Sequence, residues 1–219
     1  FREALVVDQR QCAVYGETLD ASTAAFAEPL SVLLHAAHRF GELEGRDLLI
    51  TGCGPIGALG ILVARQRGAR RIVVTDIAEG PLKMARELGA DAALNMVQDP
   101  ESLNHYVKDE GFFQGMWEAS GNGKALSGAL DCLEPRSRII QIGLGGDVTL
   151  PLNRLAAKEL ELHGTFRFFS EFFEAVQLLE KSAIEVRPLL TEVFPLERAE
   201  AAFELAADRD RAMKVQLRF

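Results

Sequence analysis

An α/β fold built on a doubly wound, six-stranded parallel sheet is the expectation for this 219-residue chain, and three observations carry it. Short β-rich runs alternate with helical patterns from Arg46 onward, as βαβ units require. Hydrophobic residues make up 48% of the chain, ample material for a core. A glycine-rich turn, Gly52-Cys53-Gly54-Pro55-Ile56-Gly57, joins the first strand of the series to its first helix.

Phe1-Arg2-Glu3 opens directly into a strand-like run at residues 4–8, with no basic or apolar leader before it, so the chain is expected to begin inside a longer protein. The alternation then predicts strand Asp47–Thr51, helix Pro55–Gln66, strand Arg71–Asp76, a helix over 80–88 and strand Ala92–Asn95. It continues with helix 101–108, strand 114–118, helix 124–133 and strands 138–142 and 160–166. In such a sheet the strand order reverses between the first and fourth strands, and a ligand lies across their C-terminal ends, near Gly54 and Ser120-Gly121. The flanks, 1–45 and 168–219, mix isolated strands (4–8, 189–194, 213–219) with amphipathic helices (170–181, 197–207) and read as pieces of another domain.

A formal net charge of −8 argues against nucleic-acid or anionic-membrane partners, which need a basic face, and favours a small-molecule ligand. Cys12, Cys53 and Cys132 are too few and too widely spaced for a disulfide framework or a CxxC metal site, which suits a reducing, cytoplasmic compartment. The longest apolar stretches fall short of the roughly 20 residues that cross a bilayer, so no membrane span is expected.

The glycine turn gains meaning from its context. It follows the apolar Leu48-Leu49-Ile50-Thr51 and opens a helix that Pro55 can start, since proline lacks the N–H a first turn leaves unpaired. Gly52 permits the sharp turn, Gly54 lets backbone approach a pyrophosphate, and Gly57 lets the helix pack on the sheet, with phosphates at the positive end of the helix dipole. Asp76 ends the second strand about 20 residues further on, where a carboxylate can accept hydrogen bonds from ribose hydroxyls and repel a 2′-phosphate. This is a Rossmann-type dinucleotide fingerprint and favours NAD over NADP; Arg70 and Arg71 precede the strand and do not alter that preference. Asp76 could also cap the following helix. Cys53, at a variable position of the fingerprint, reads as structural. His35 and His38, one helical turn apart, read as a packed or solvated helix face, and Trp117 as core.

The chain resembles the zinc-dependent medium-chain dehydrogenase/reductase superfamily, in particular its sorbitol and L-idonate 5-dehydrogenase branch. The likeness covers nearly the whole chain. It rests on Ala27-Glu28-Pro29-Leu30-Ser31-Val32, the glycine turn, Val74-Thr75-Asp76, Glu87-Leu88-Gly89-Ala90-Asp91, Gln141-Ile142-Gly143-Leu144-Gly145 and Gly164-Thr165-Phe166-Arg167. The resemblance implies that Ile56, Asp76, Ile77, Ile142, Gly143, Leu144, Thr165, Phe166 and Arg167 line NAD(H), and that Lys214 approaches its pyrophosphate. It places Arg167 and Phe168 near the substrate, a polyol or sugar acid, and makes Glu28 the catalytic residue beside the zinc.

It also implies a division into a remnant of a GroES-like catalytic domain (1–27), a Rossmann domain (28–167) and a C-terminal segment returning to the catalytic domain (168–219). A homodimer or homotetramer through the edge strand 160–166 follows from the same likeness. Two positions depart from the sorbitol branch, which often has arginine where this chain has Pro81 and tyrosine where it has Phe168. The superfamily's Cys and Gly-His-Glu zinc ligands are absent, so Zn2+ is expected only in a complete enzyme and no metal ligand lies in this chain, Glu28 excepted. The alternatives are a non-catalytic NAD-binding module and a zinc-free quinone reductase relative; Glu28 disfavours the latter.

Overall fold

In the computed structural model, which describes residues 4–219, α1 (Ala21–Ala24) and α2 (Ala27–Phe40) precede β1 (Asp47–Thr51). The chain continues through α3 (Pro55–Gln66), β2 (Arg71–Asp76), α4 (Glu79–Glu87), β3 (Ala92–Asn95) and β4 (Phe113–Glu118). There follow α5 (Gly123–Ala129), β5 (Leu133–Gln141), α6 (Leu152–Ala157), β6 (Glu161–Gly164), α7 (Glu171–Glu180), β7 (Leu190–Pro195), α8 (Ala199–Ala207) and β8 (Lys214–Arg218). Six strands form one parallel sheet in the order β3-β2-β1-β4-β5-β6, so the order reverses between β1 and β4 as the alternation predicts. β7 and β8 pair in parallel as a separate two-stranded sheet.

Burial on both faces explains why β1 reads as an unbroken apolar run rather than an alternation. Leu48 and Ile50 enter a cluster with Leu30, Leu33 and Leu34 of α2, Ile61 of α3 and Trp117; Leu49 points the other way, toward Val73, Phe113, Met116 and Ile139. Each such side chain contributes about 1.5–3 kcal/mol by leaving water. Leu30, Leu33, Leu34 and Ala37 recur at helical spacing, which gives α2 its buried stripe. Asp20 starts the short helix before it, its Oδ1 accepting the Thr23 N–H at 3.0 Å.

Several expected elements differ. Residues 4–8 form no strand: Leu5 and Val6 are 65% and 99% exposed, and an isolated segment without a partner cannot satisfy a ladder. The helix expected at 101–108 is two 3-10 turns, Ser102–Tyr106 and Lys108–Glu110, separated at Val107, and Asp109 and Glu110 then take φ 56° and 69°. The helix expected over 124–133 ends at Ala129, and a 3-10 turn, Leu130–Cys132, leads straight into β5, which is longer than the expected 138–142. The last strand of the six-stranded sheet spans Glu161–Gly164 rather than 160–166, because its partner β5 ends at Gln141, opposite Gly164. Among the described residues no helix is long and apolar enough to cross a membrane.

Candidate functional site

The C-terminal ends of β1, β2 and β4 meet at a cleft of about 700 Å³, lined by Gly52, Gly54, Pro55, Asp76 and Ile77 together with Ser120, Asn122 and Lys124. Its floor is held together by contacts too tight for any side chain. Gly52, at φ 84°, would carry a Cβ 2.7 Å from the Ser120 backbone, and a Cβ on Gly57 would lie 1.9 Å from the Gly52 carbonyl oxygen. Gly54 is the opposite case, since nothing lies within 4 Å of the Cβ it lacks. Directly after it α3 begins at Pro55 with no side-chain cap, leaving the first-turn N–H groups to a ligand or water.

Asp76 lines this cleft while its carboxylate is fastened by backbone. Oδ2 accepts the Cys53 N–H at 2.6 Å, and Oδ1 accepts Ile77 N–H at 2.7 Å and Ala78 N–H at 3.0 Å. The residue therefore orders the turn after β1 and the entry to α4, whose cap position falls at Ala78 rather than Asp76. Burial and the Asp76 carboxylate push the Cys53 thiol up to about 12, so this fully buried cysteine is structural and not a nucleophile. Arg70 grips Asp47 through Nε and Nη2 at 2.9 and 2.7 Å, and Arg71 lies over the Phe112 ring; both sit at the far, N-terminal edge of the sheet.

Glu118, a fully buried acid at the end of β4, escaped the sequence reading. Its carboxylate accepts Ser120 N–H at 2.9 Å, Gly121 N–H at 3.1 Å, Gln141 Nε2 at 2.6 Å, Thr51 Oγ1 at 3.4 Å and the Ser120 hydroxyl. Its carbonyl oxygen accepts both Ile142 and Gly143 N–H at 2.8 Å. One residue thus shapes the loops after β4 and after β5. The available signal was an acid directly after the apolar pair Met116-Trp117 and just before Ser120-Gly121. Lys124, Asn104 and Arg209 also line the cleft without having been anticipated.

The remaining expected residues fall outside the cleft. Ile142, Gly143 and Leu144 follow β5, and Thr165, Phe166, Arg167 and Phe168 follow β6, forming an outer rim on which Leu144 and Phe166 are 79% and 67% exposed. The Arg167 guanidinium sits 5.5 Å from the Phe166 ring centroid, and Phe168 stacks on Phe172. Thr165 holds its N–H on the Gln141 carbonyl at 3.1 Å, but its buried hydroxyl has no partner among the described residues. Lys214 opens β8 next to Met213, which does line the cleft. Glu28 is exposed on the first turn of α2.

His35 and His38 direct their Nδ1 atoms to Glu171 Oε1 at 3.0 and 3.1 Å, tying α2 to α7. Glu171 Oε2 accepts the Phe169 N–H at 2.9 Å. Burial raises the Glu171 carboxyl, yet the hydrogen bonds from His35, Phe169, its own N–H and His38 together bring it down to about 2.

Open space above Gly54, an uncapped helix start, a neighbouring acid and an orphaned hydroxyl after β6 are what an extended dinucleotide needs along this edge. The described residues contain no group of three or more His, Cys, Asp or Glu that could hold a metal ion, so they do not fit a zinc centre. A family model described as zinc-binding dehydrogenase matches residues 55–181. The chain is 37% identical over 220 residues to "L-idonate 5-dehydrogenase (NAD(P)(+))" of Escherichia coli K12, covering 100% of this chain and 64% of that protein. Against sorbitol dehydrogenase of Homo sapiens it is 34% identical over 184 residues, covering 82% of this chain and 52% of the relative. The crystal structure of L-idonate 5-dehydrogenase from Escherichia coli superposes with a TM-score of 0.94 at 38% identity, covering 98% of this chain and 62% of the other. The chain therefore spans only about half to two thirds of the length of these relatives. With the fold, the glycine turn and these likenesses in agreement, the chain belongs to the zinc-binding dehydrogenase family.

Proposed function

We propose that this chain binds NAD(H) and forms the cofactor-binding part of a dehydrogenase that passes hydride between NAD and a CH–OH group of a polyol or sugar acid. The observation that carries the reading is the vacant space over Gly54 at the start of α3, flanked by Asp76. The pyrophosphate would lie against the first-turn N–H groups of α3, and the remaining acceptor site of the Asp76 carboxylate would accept a hydrogen bond from a ribose hydroxyl. Thr165 and the 142–144 backbone would orient the nicotinamide. NAD supplies the hydride acceptor, and the protein supplies binding and geometry. Arg167, exposed beyond β6, would hold a substrate carboxylate or hydroxyls, and Glu28 would act at the reacting carbon. The described residues offer no zinc centre, so no step through zinc is derived from them.

The same proposal divides the chain at residues 1–27, 28–167 and 168–219, sets it in the cytoplasm, and pairs two copies along β6. That strand has β5 as its one sheet neighbour, and an open edge of this kind is otherwise a liability.

Titration of the purified chain with NADH, followed by reduced-nicotinamide fluorescence, is expected to show saturable binding; no binding overturns the nucleotide reading. The catalytic reading is tested with the full-length protein on L-idonate, sorbitol, xylitol and threonine alongside metal analysis. Upstream coding sequence with a Gly-His-Glu motif and a suitably placed cysteine supports it, and failure to oxidise any polyol or sugar acid defeats it.

A further inference from the structure

Arg167 stands at φ 54°, in the left-handed region that a residue with a Cβ keeps only where its surroundings hold it. Its loop is pinned on both sides. Toward the sheet the Thr165 N–H donates to the Gln141 carbonyl at 3.1 Å, and toward α7 the Phe169 N–H donates to Glu171 Oε2 at 2.9 Å. The first pin continues the strand pairing. The second is a carboxylate that is itself braced. Glu171 is 6% exposed, and its Oε1 receives Nδ1 of both His35 and His38 from α2, at 3.0 and 3.1 Å. His38 Nε2 lies 3.3 Å from Glu174 Oε2, and Arg67, at the end of α3, holds the other oxygen of Glu174. Three helices thus fix the group that ends the loop. One of them, α2, carries Glu28 about two turns before His35.

We propose that Glu171 is a positioning residue: braced by His35 and His38, it holds the 165–169 loop so that Arg167 meets substrate at a fixed place relative to Glu28. The inference rests on the reading above in which Arg167 binds substrate. An arginine on a loop that must be ordered during binding loses part of its contribution to affinity, whereas a loop ordered beforehand lowers KM without altering the hydride step.

Limited trypsin digestion of the purified chain tests the clamp, since cleavage after Arg167 needs the loop to open and extend, and the exposed Arg209 serves as an internal reference. Glu171→Ala is expected to speed cleavage after Arg167 on the order of tenfold and to leave cleavage after Arg209 nearly unchanged. Glu171→Gln, whose single carbonyl oxygen can serve the histidines or Phe169 but not both, should fall between, and carries the same comparison if Glu171→Ala does not fold. Steady-state kinetics of the full-length protein test the consequence. Arg167→Ala and Glu171→Ala are each expected to raise substrate KM on the order of tenfold with kcat and the KM for NAD nearly unchanged, and the double variant to raise it no further. The proposal falls if cleavage after Arg167 does not respond or if both sites speed up alike. It also falls if Arg167→Ala raises KM while Glu171→Ala does not, or if the two effects multiply. If Arg167→Ala leaves KM unchanged, the substrate reading of Arg167 falls and this inference with it.

Discussion

The turn after β1 and the rim after β6 lie along the same edge of one sheet, yet they are built differently. Around Gly52, Gly57 and Glu118 the backbone segments touch one another directly and a buried carboxylate is saturated with donors. At the rim, Leu144, Phe166 and Phe169 are 79%, 67% and 88% exposed, and Arg167 rests on its neighbour's ring. In the first region shape and binding cannot be separated, because the atoms that would contact a nucleotide are the atoms that close the fold. In the second, side chains can change with little effect on the fold, which leaves them free to set specificity.

Gly57→Ala should break the inner region most severely. Its Cβ has no space against the Gly52 carbonyl, and we expect a loss of about 3 kcal/mol in urea unfolding together with loss of NADH binding. A stability change below about 0.5 kcal/mol would mean that the turn is more yielding than its contacts indicate.

Glu171 anchors the rim, through Phe169, to α2. Its carboxyl stands at about 2 against an ordinary 4.5, so it stabilises the fold above pH 4.5 and that contribution, on the order of 3 kcal/mol, is lost as pH falls from 4.5 to about 2. Unfolding free energy measured over that interval should drop in the parent and drop less in Glu171→Gln. Identical slopes would show that another group governs the acid limb.

Glu118→Gln keeps the shape but sets an NH2 group against one of the two backbone donors, the Ser120 N–H on Oε1 or the Gly121 N–H on Oε2, an expected cost of about 2 kcal/mol with weakened NADH binding. At the rim, Arg167→Ala should stay within about 0.5 kcal/mol of the parent in stability while substrate KM rises in the full-length protein. A destabilisation as large as that of Glu118→Gln would erase the contrast between the two regions.

The alternation of β-rich and helical runs, the apolar run of β1 and the glycine turn were sufficient to read the sheet, its strand order and the place of the cleft. Each is a local pattern whose meaning does not depend on distant residues. The same local reasoning failed at residues 4–8, where apolar side chains suited a strand but found no partner among the described residues, and at 101–108, where the chain forms only 3-10 turns.

Tertiary structure alone decided which distant groups share the cleft. Gly52 packs on the Ser120 backbone, and the turn bearing Arg209 comes to rest on Gly80. By itself the sequence determined that a dinucleotide-type turn exists and that Asp76 stands beside it, because those residues act through backbone conformation and one strand-to-strand step. That Glu118 would hold two loops together, and that a cation from the last turn would enter the same cleft, depends on how the chain returns to the sheet. Packing of the whole core sets that path, and no local pattern records it.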